Sequence, residues 1–96
     1  MRQILIGLSG RLLSGFYPAA EFGRWDISTP DDREELGDGD WRLIGVLTSR
    51  DEFWSNQSPF VLEIDSGPEL WRWQNVKVEW LGNEIVAHGK GSPEVS

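Results

Sequence analysis

Few residues in this chain could do chemistry, and their spacing limits what that chemistry could be. Glu63 and Asp65 stand two positions apart in an alternating stretch, which puts both carboxylates on one face of a strand. Such a pair could in principle serve glycoside hydrolysis, where one carboxyl protonates the leaving oxygen and the other attacks or activates water. That reaction needs a cleft between the two groups, and neighbours on an outward strand face do not frame one. His88 is the only histidine and there is no cysteine, so neither a thiol nucleophile nor a thiolate zinc site is available. Asp38-Gly39-Asp40 offers oxygens at alternate positions, but Leu36 and Trp41 interrupt the ligand spacing of a calcium loop. Gly7-Leu8-Ser9-Gly10 has the composition of a phosphate loop without its lysine or its helix. No catalytic, metal or cofactor constellation emerges, and the chain reads as non-enzymatic.

The clearest structural signal is the stretch from Leu70 to Gly89, which holds three of the six tryptophans. Gly82-Asn83 suits a two-residue type II′ turn, because glycine takes the positive φ that its first central position requires. Trp80 then faces Ile85 and Val78 faces Ala87. Val76, Val78, Trp80, Ile85 and Ala87 share a core face, while Lys77, Glu79, Val86 and His88 share the other. Upstream the phase reverses, since Trp71 and Trp73 have the opposite parity to Val76, Val78 and Trp80. Two arrangements satisfy this. A β-bulge at Gln74-Asn75 adds one residue and turns both rings inward. A regular strand instead leaves Trp71 and Trp73 exposed on either side of Arg72, as a binding surface. Each ring carries roughly 150–250 Å², so the exposed arrangement requires a ligand to cover it.

Those elements belong to one short chain of 96 residues with a formal net charge of −7. Between Asp26 and Asp40 lie seven acids and one base, so this segment supplies nearly all of the imbalance. Thr29 as N-cap, Pro30 at the first helical position and Gly37 as the stop predict a helical turn there. Its acids, Asp31, Asp32, Glu34 and Glu35, either solvate a connector or form an acidic docking surface. The charge argues against nucleic acid or an anionic membrane as partner and allows a partner with a basic surface. The first ten residues are too short an apolar run for a secretory signal or a membrane span. With no cysteine, this predicts a cytoplasmic protein.

The remaining segments read as strands and turns. Residues 2–13 predict a first strand and Phe22 to Ile27 a second, with Trp25 and Ile27 on one face. Trp41 to Thr48 is apolar on both parities, as in a strand covered on both sides. Ser49 and Glu52 have capping-box spacing for a turn carrying Phe53 and Trp54. Phe60 to Asp65 alternates, with Phe60, Leu62 and Ile64 inward. The expected fold is mainly β: a small antiparallel barrel or sandwich of five to six strands with one or two short helical turns. Residues 1–89 form a single β domain and residues 90–96 a flexible tail.

Acidic charge combined with tryptophans predicts a small protein-binding module, an inhibitor or immunity-type protein that neutralises a basic partner, charge steering the encounter and rings anchoring it. The residues expected to make that contact are Trp71, Trp73, Arg72, Trp54, Asp31, Asp32, Glu34 and Glu35. Two other classes fit the composition: a self-associating structural subunit, for instance of a viral particle, and a carbohydrate-binding module using exposed tryptophans.

Overall fold

The computed structural model describes residues 2–30 and 36–96. The expected acidic helical turn, with Asp31, Asp32, Glu34 and Glu35, lies outside the described residues. Of the described residues 69% lie in strands, and they form a closed six-stranded antiparallel barrel with two strands outside the ring and one 3₁₀ turn. The strands are β1 (Arg2–Gly7), β2 (Gly10–Ser14), β3 (Tyr17–Thr29), β4 (Asp40–Arg50), β5 (Phe60–Asp65), β6 (Leu70–Leu81), β7 (Glu84–Lys90) and β8 (Glu94–Val95). Of the two expected architectures, the chain adopts the barrel.

Two three-stranded meanders, β2–β3–β4 and β5–β6–β7, make the ring. They join along both edges, through β2–β5 and β4–β7. The central strands β3 and β6 are long and bent, and each carries two short strands end to end along one edge. Strands β1 and β2 lie along β3, and β7 and β8 along β6. The first strand expected over residues 2–13 is therefore two strands, broken at Leu8-Ser9. The tail expected to be flexible is instead tied to β6. Glu94 and Val95 pair with Arg72 and Trp71, and Leu70 and Ser96 exchange both backbone hydrogen bonds at 3.0 Å.

A bulge bends each long strand. In β6 Asn75 has φ +56°, and Phe60 faces Val76 while Leu62 faces Trp73, so an extra residue sits in β6. The predicted inward turn at Gln74-Asn75 follows: Trp73 is 4% exposed and Trp71 is half-buried against the core. In β3 the corresponding residue is Arg24, φ +45°, and it lets Phe22 and Trp25 both face inward despite opposite parity. Asparagine tolerates this conformation better than arginine does.

Hairpin β6–β7 has the expected register, with Trp80 opposite Ile85, Val78 opposite Ala87 and Lys77 opposite His88. Gly82 has φ +64° and Asn83 is not among the positive-φ residues, as a type II′ turn requires. Trp80 faces the core side but is half-buried at one end of the barrel. Its ring meets Phe60 edge-on with centroids 6.0 Å apart, and the Arg50 guanidinium lies 4.1 Å from its centroid. In β4 Trp41, Leu43 and Gly45 are buried, whereas Arg42, Ile44 and Val46 are only half-covered. That strand is thus enclosed on one face and partly covered on the other.

Two tryptophans lie over glycines of the neighbouring strand. Trp25 is paired with Gly7 and Trp41 with Gly89. A Cβ at either glycine would stand 2.2 Å from Cζ2 of the facing indole. In these strands glycine is what lets a large ring lie flat on the backbone next to it.

Candidate functional site

One end of the barrel gathers exposed aromatic rings. The β2–β3 connection turns at Gly15, φ +63°, which places Phe16 at its tip and Tyr17 at the start of β3. Strand β4 ends at Arg50, and the chain then makes the 3₁₀ turn Trp54–Asn56. Phe53 stands at the N-cap of this turn without a side-chain cap bond, and the expected capping residue Ser49 belongs to β4. Trp54 N donates to Asp51 Oδ1 at 2.8 Å, and Ser55 N donates to the Asp51 carbonyl at 3.0 Å. Arg50 Nε donates to the buried Ser55 hydroxyl at 3.0 Å, and the Ser14 hydroxyl donates to the Gln57 carbonyl at 2.5 Å. These bonds lock the two connections together.

The locking sets the rings. Tyr17 and Trp54 stack with centroids 4.1 Å apart and planes 3° from parallel. Phe53 meets Trp54 edge-on at 4.8 Å. Phe16 is 97% exposed, Phe53 63% and Tyr17 55%. Asp51, Glu52 and Glu21 are exposed acids carried by the same segments. A depression of about 410 Å³ beside the rings is lined by Pro18, Glu21, Ser49, Arg50, Asp51 and Trp54. Three exposed rings, Phe16, Tyr17 and Phe53, and the half-buried Trp54 on which Tyr17 and Phe53 pack, form with the nearby carboxylates a surface that gains free energy when another molecule covers it.

No known protein family, curated protein or solved structure matches the chain. Function has to be read from the surface itself.

Of the residues expected to make contact, Trp54 alone lies in this cluster. Trp71 and Trp73 belong to a different group. Trp73 packs on Trp41 with centroids 4.6 Å apart, and Trp71 stands edge-on to Trp73 at 6.0 Å. The Trp73 indole donates to the Gly91 carbonyl at 3.0 Å, and the Trp71 indole to Glu69 Oε2 at 3.0 Å. The exposed Trp71/Trp73 surface is therefore corrected. The bulge at Asn75 turns the pair toward the core, where burial is worth more than exposure.

Arg72, also expected at an interface, remains on the outer face of β6 and takes part in a ladder of alternating charge. In register across β3, β2, β5, β6 and β8 stand Glu21, Arg11, Glu63, Arg72 and Glu94. Glu63 points outward as its parity predicts, yet it is only 1% exposed because the two arginines cover it. Arg11 Nε donates to Oε1 at 2.5 Å, and Arg72 donates to Oε2 through Nε at 2.7 Å and also through Nη2. Burial raises the Glu63 pKa, but the hydrogen bonds and charges of Arg72 and Arg11 outweigh it and hold the carboxyl below the ordinary 4.5. A carboxylate engaged in this way has no proton to donate near neutral pH. The glycoside reading of Glu63 and Asp65 thus lacks its acid at Glu63. Among the described residues no three His, Asp or Glu side chains form a metal-binding group. Among the described residues no helix is long and apolar enough to cross a membrane.

The depressed pKa carries a stability consequence. The contribution from ionised Glu63 is complete above the unfolded value and is lost as pH falls through the lower folded value. Glu63→Gln is expected to cost about 1–3 kcal/mol at pH 7, since the arginines it leaves behind are half-exposed and regain water. Urea melts between pH 3 and pH 7 should show a shallower acid decline for the variant than for the wild type. Parallel declines would mean that other carboxylates dominate acid unfolding.

The sequence gives partial notice of this site. Phe53 and Trp54 on a short turn are readable, but Phe16 and Tyr17 join them only through the turn at Gly15 and the closure of β2 onto β5. Phe16-Tyr17-Pro18 carried the available signal: two adjacent aromatics beside a proline that no strand pattern buries.

Proposed function

We propose that this protein is a small acidic binding module that docks a protein with a basic surface through Phe16, Tyr17, Phe53 and Trp54. The observation that carries this reading is the exposure of Phe16, Tyr17 and Phe53 around the half-buried Trp54, with Asp51, Glu52 and Glu21 exposed on the same segments. Rigid aromatic area anchors a contact with little entropy cost, and a net charge of −7 steers a cationic partner toward it. An inhibitor or immunity-type role in the cytoplasm is the biological form of this reading. The acids Asp31, Asp32, Glu34 and Glu35 add to the steering charge.

The test starts from a tagged chain in its native host. Phe16→Ser/Phe53→Ser should retain the wild-type melting temperature within a few degrees, because both side chains are in water. The same variant should bind the co-purifying basic protein at least tenfold more weakly. Neutralising the four acids to Asn and Gln should slow association and flatten its salt dependence. Equal retention of the partner by wild type and the aromatic variant would refute the site. Retention on polysaccharide, or a multimer on a sizing column that the variant dissolves, would replace the proposed partner with a carbohydrate or a second copy.

A further inference from the structure

A second surface gathers most of its cations on neighbouring strands, with Asp40 and Glu79 beside them. At the start of β4 and the end of β7, Arg42 pairs with His88, and His88 pairs with Lys77 of β6. Three nitrogen-bearing side chains thus stand in one row on the outer face. Directly opposed residues have Cβ atoms roughly 4.5–5.5 Å apart, a separation at which like charges repel. Lys90, opposite Asp40, lies beside the row. Both lysines of the chain, its only histidine and Arg42 therefore surround one depression of about 540 Å³, which Asp40 also lines, in a protein of net charge −7. Glu79 reaches His88 from the diagonal, with Oε1 3.6 Å from Nε2.

Trp41 also lines this depression. It is 2% exposed, and its indole N–H has no hydrogen-bond acceptor among the described residues. Leaving such a donor unmade costs about 1–3 kcal/mol. The contrast with Trp25 is direct, since that indole lies over a glycine in the same way and donates to the Ser9 carbonyl at 2.8 Å. Asn75, held at φ +56° by the bulge, contributes an amide to the same depression.

We propose that this depression binds a small phosphate-bearing ligand, with Lys77 and Lys90 supplying charge and the Trp41 indole a fixed donor. Two mobile ammonium groups, an imidazole, an amide and an indole N–H can together satisfy the several oxygens of a phosphate or pyrophosphate group. The volume exceeds that of a bare ion and lies in the range of small-molecule sites, roughly 300–1,000 Å³. A long polyanion is disfavoured by the net charge, so the ligand is a small molecule rather than nucleic acid. The site lies at the opposite end of β4 from the aromatic cluster and does not depend on the proposed protein docking.

The experiment follows the indole ¹H–¹⁵N signals of the intact protein during titration with pyrophosphate, against sodium chloride at matched ionic strength. The Trp41 signal should move and saturate with pyrophosphate, while that of Trp25 stays in place. Lys77→Gln/Lys90→Gln changes two exposed side chains and should keep the fold, yet weaken the response at least tenfold. Phe16→Ser/Phe53→Ser should respond like the wild type. A Trp41 signal that moves no more with pyrophosphate than with chloride overturns the proposal. So does a lysine variant that binds as tightly as the wild type.

Discussion

Trp73→Ala is expected to destabilise the protein by about 3–5 kcal/mol, the loss seen when a large aromatic is removed from a packed interior. The ring is 4% exposed, packs on Trp41 and Trp71, and ties the end of β7 to β6 through its bond to the Gly91 carbonyl. Removing it opens a cavity beside Trp41, and it also frees the segment that leads from Gly91 into β8. Chemical denaturation measures the change. A midpoint within error of wild type would place Trp73 on the surface and would require β6 to run without its bulge.

Gly89→Ala should cost about 3 kcal/mol, at the upper end for added volume in a packed site. The new Cβ would stand 2.2 Å from Trp41 Cζ2, and that indole is 2% exposed and packs on Trp73, so the ring has little room to withdraw. Trp41→Leu in the same chain makes room for the methyl group, and the double variant should be more stable than the sum of the single changes implies. Strict additivity in denaturant melts would show that the glycine and the indole do not share space.

How much of this was legible from the sequence depends on whether the signal was local. Hairpin β6–β7 was fully readable, because one glycine fixes the turn and period 2 fixes the faces. The break in parity between Trp73 and Val76 pointed to the bulge at Asn75, and the structure has it. The same break separates Phe22 from Trp25, but a strand started at Phe22 is too short to reveal it. Strand β8 could not be read, since two residues without periodicity pair only because β7 delivers them to the free edge of β6. Burial of Glu63 was equally hidden. Its outward parity was correct, and only the register of β2 and β6 brings Arg11 and Arg72 over it. The aromatic site and the cationic depression both depend on strands distant in sequence becoming neighbours.

The joining of the two meanders at both edges has a kinetic meaning. Neither β2–β3–β4 nor β5–β6–β7 can bury its inner face alone, so the chain gains most of its stabilisation only when β2 meets β5 and β4 meets β7. Those pairings close loops of about fifty residues, as between Leu12 and Leu62, and such closure precedes any gain from the contacts it creates. Until the ring shuts, each half presents two bare strand edges that match the other half of any copy nearby. Crowded refolding therefore favours exchange of whole meanders between chains, whereas dilute refolding closes each ring on itself.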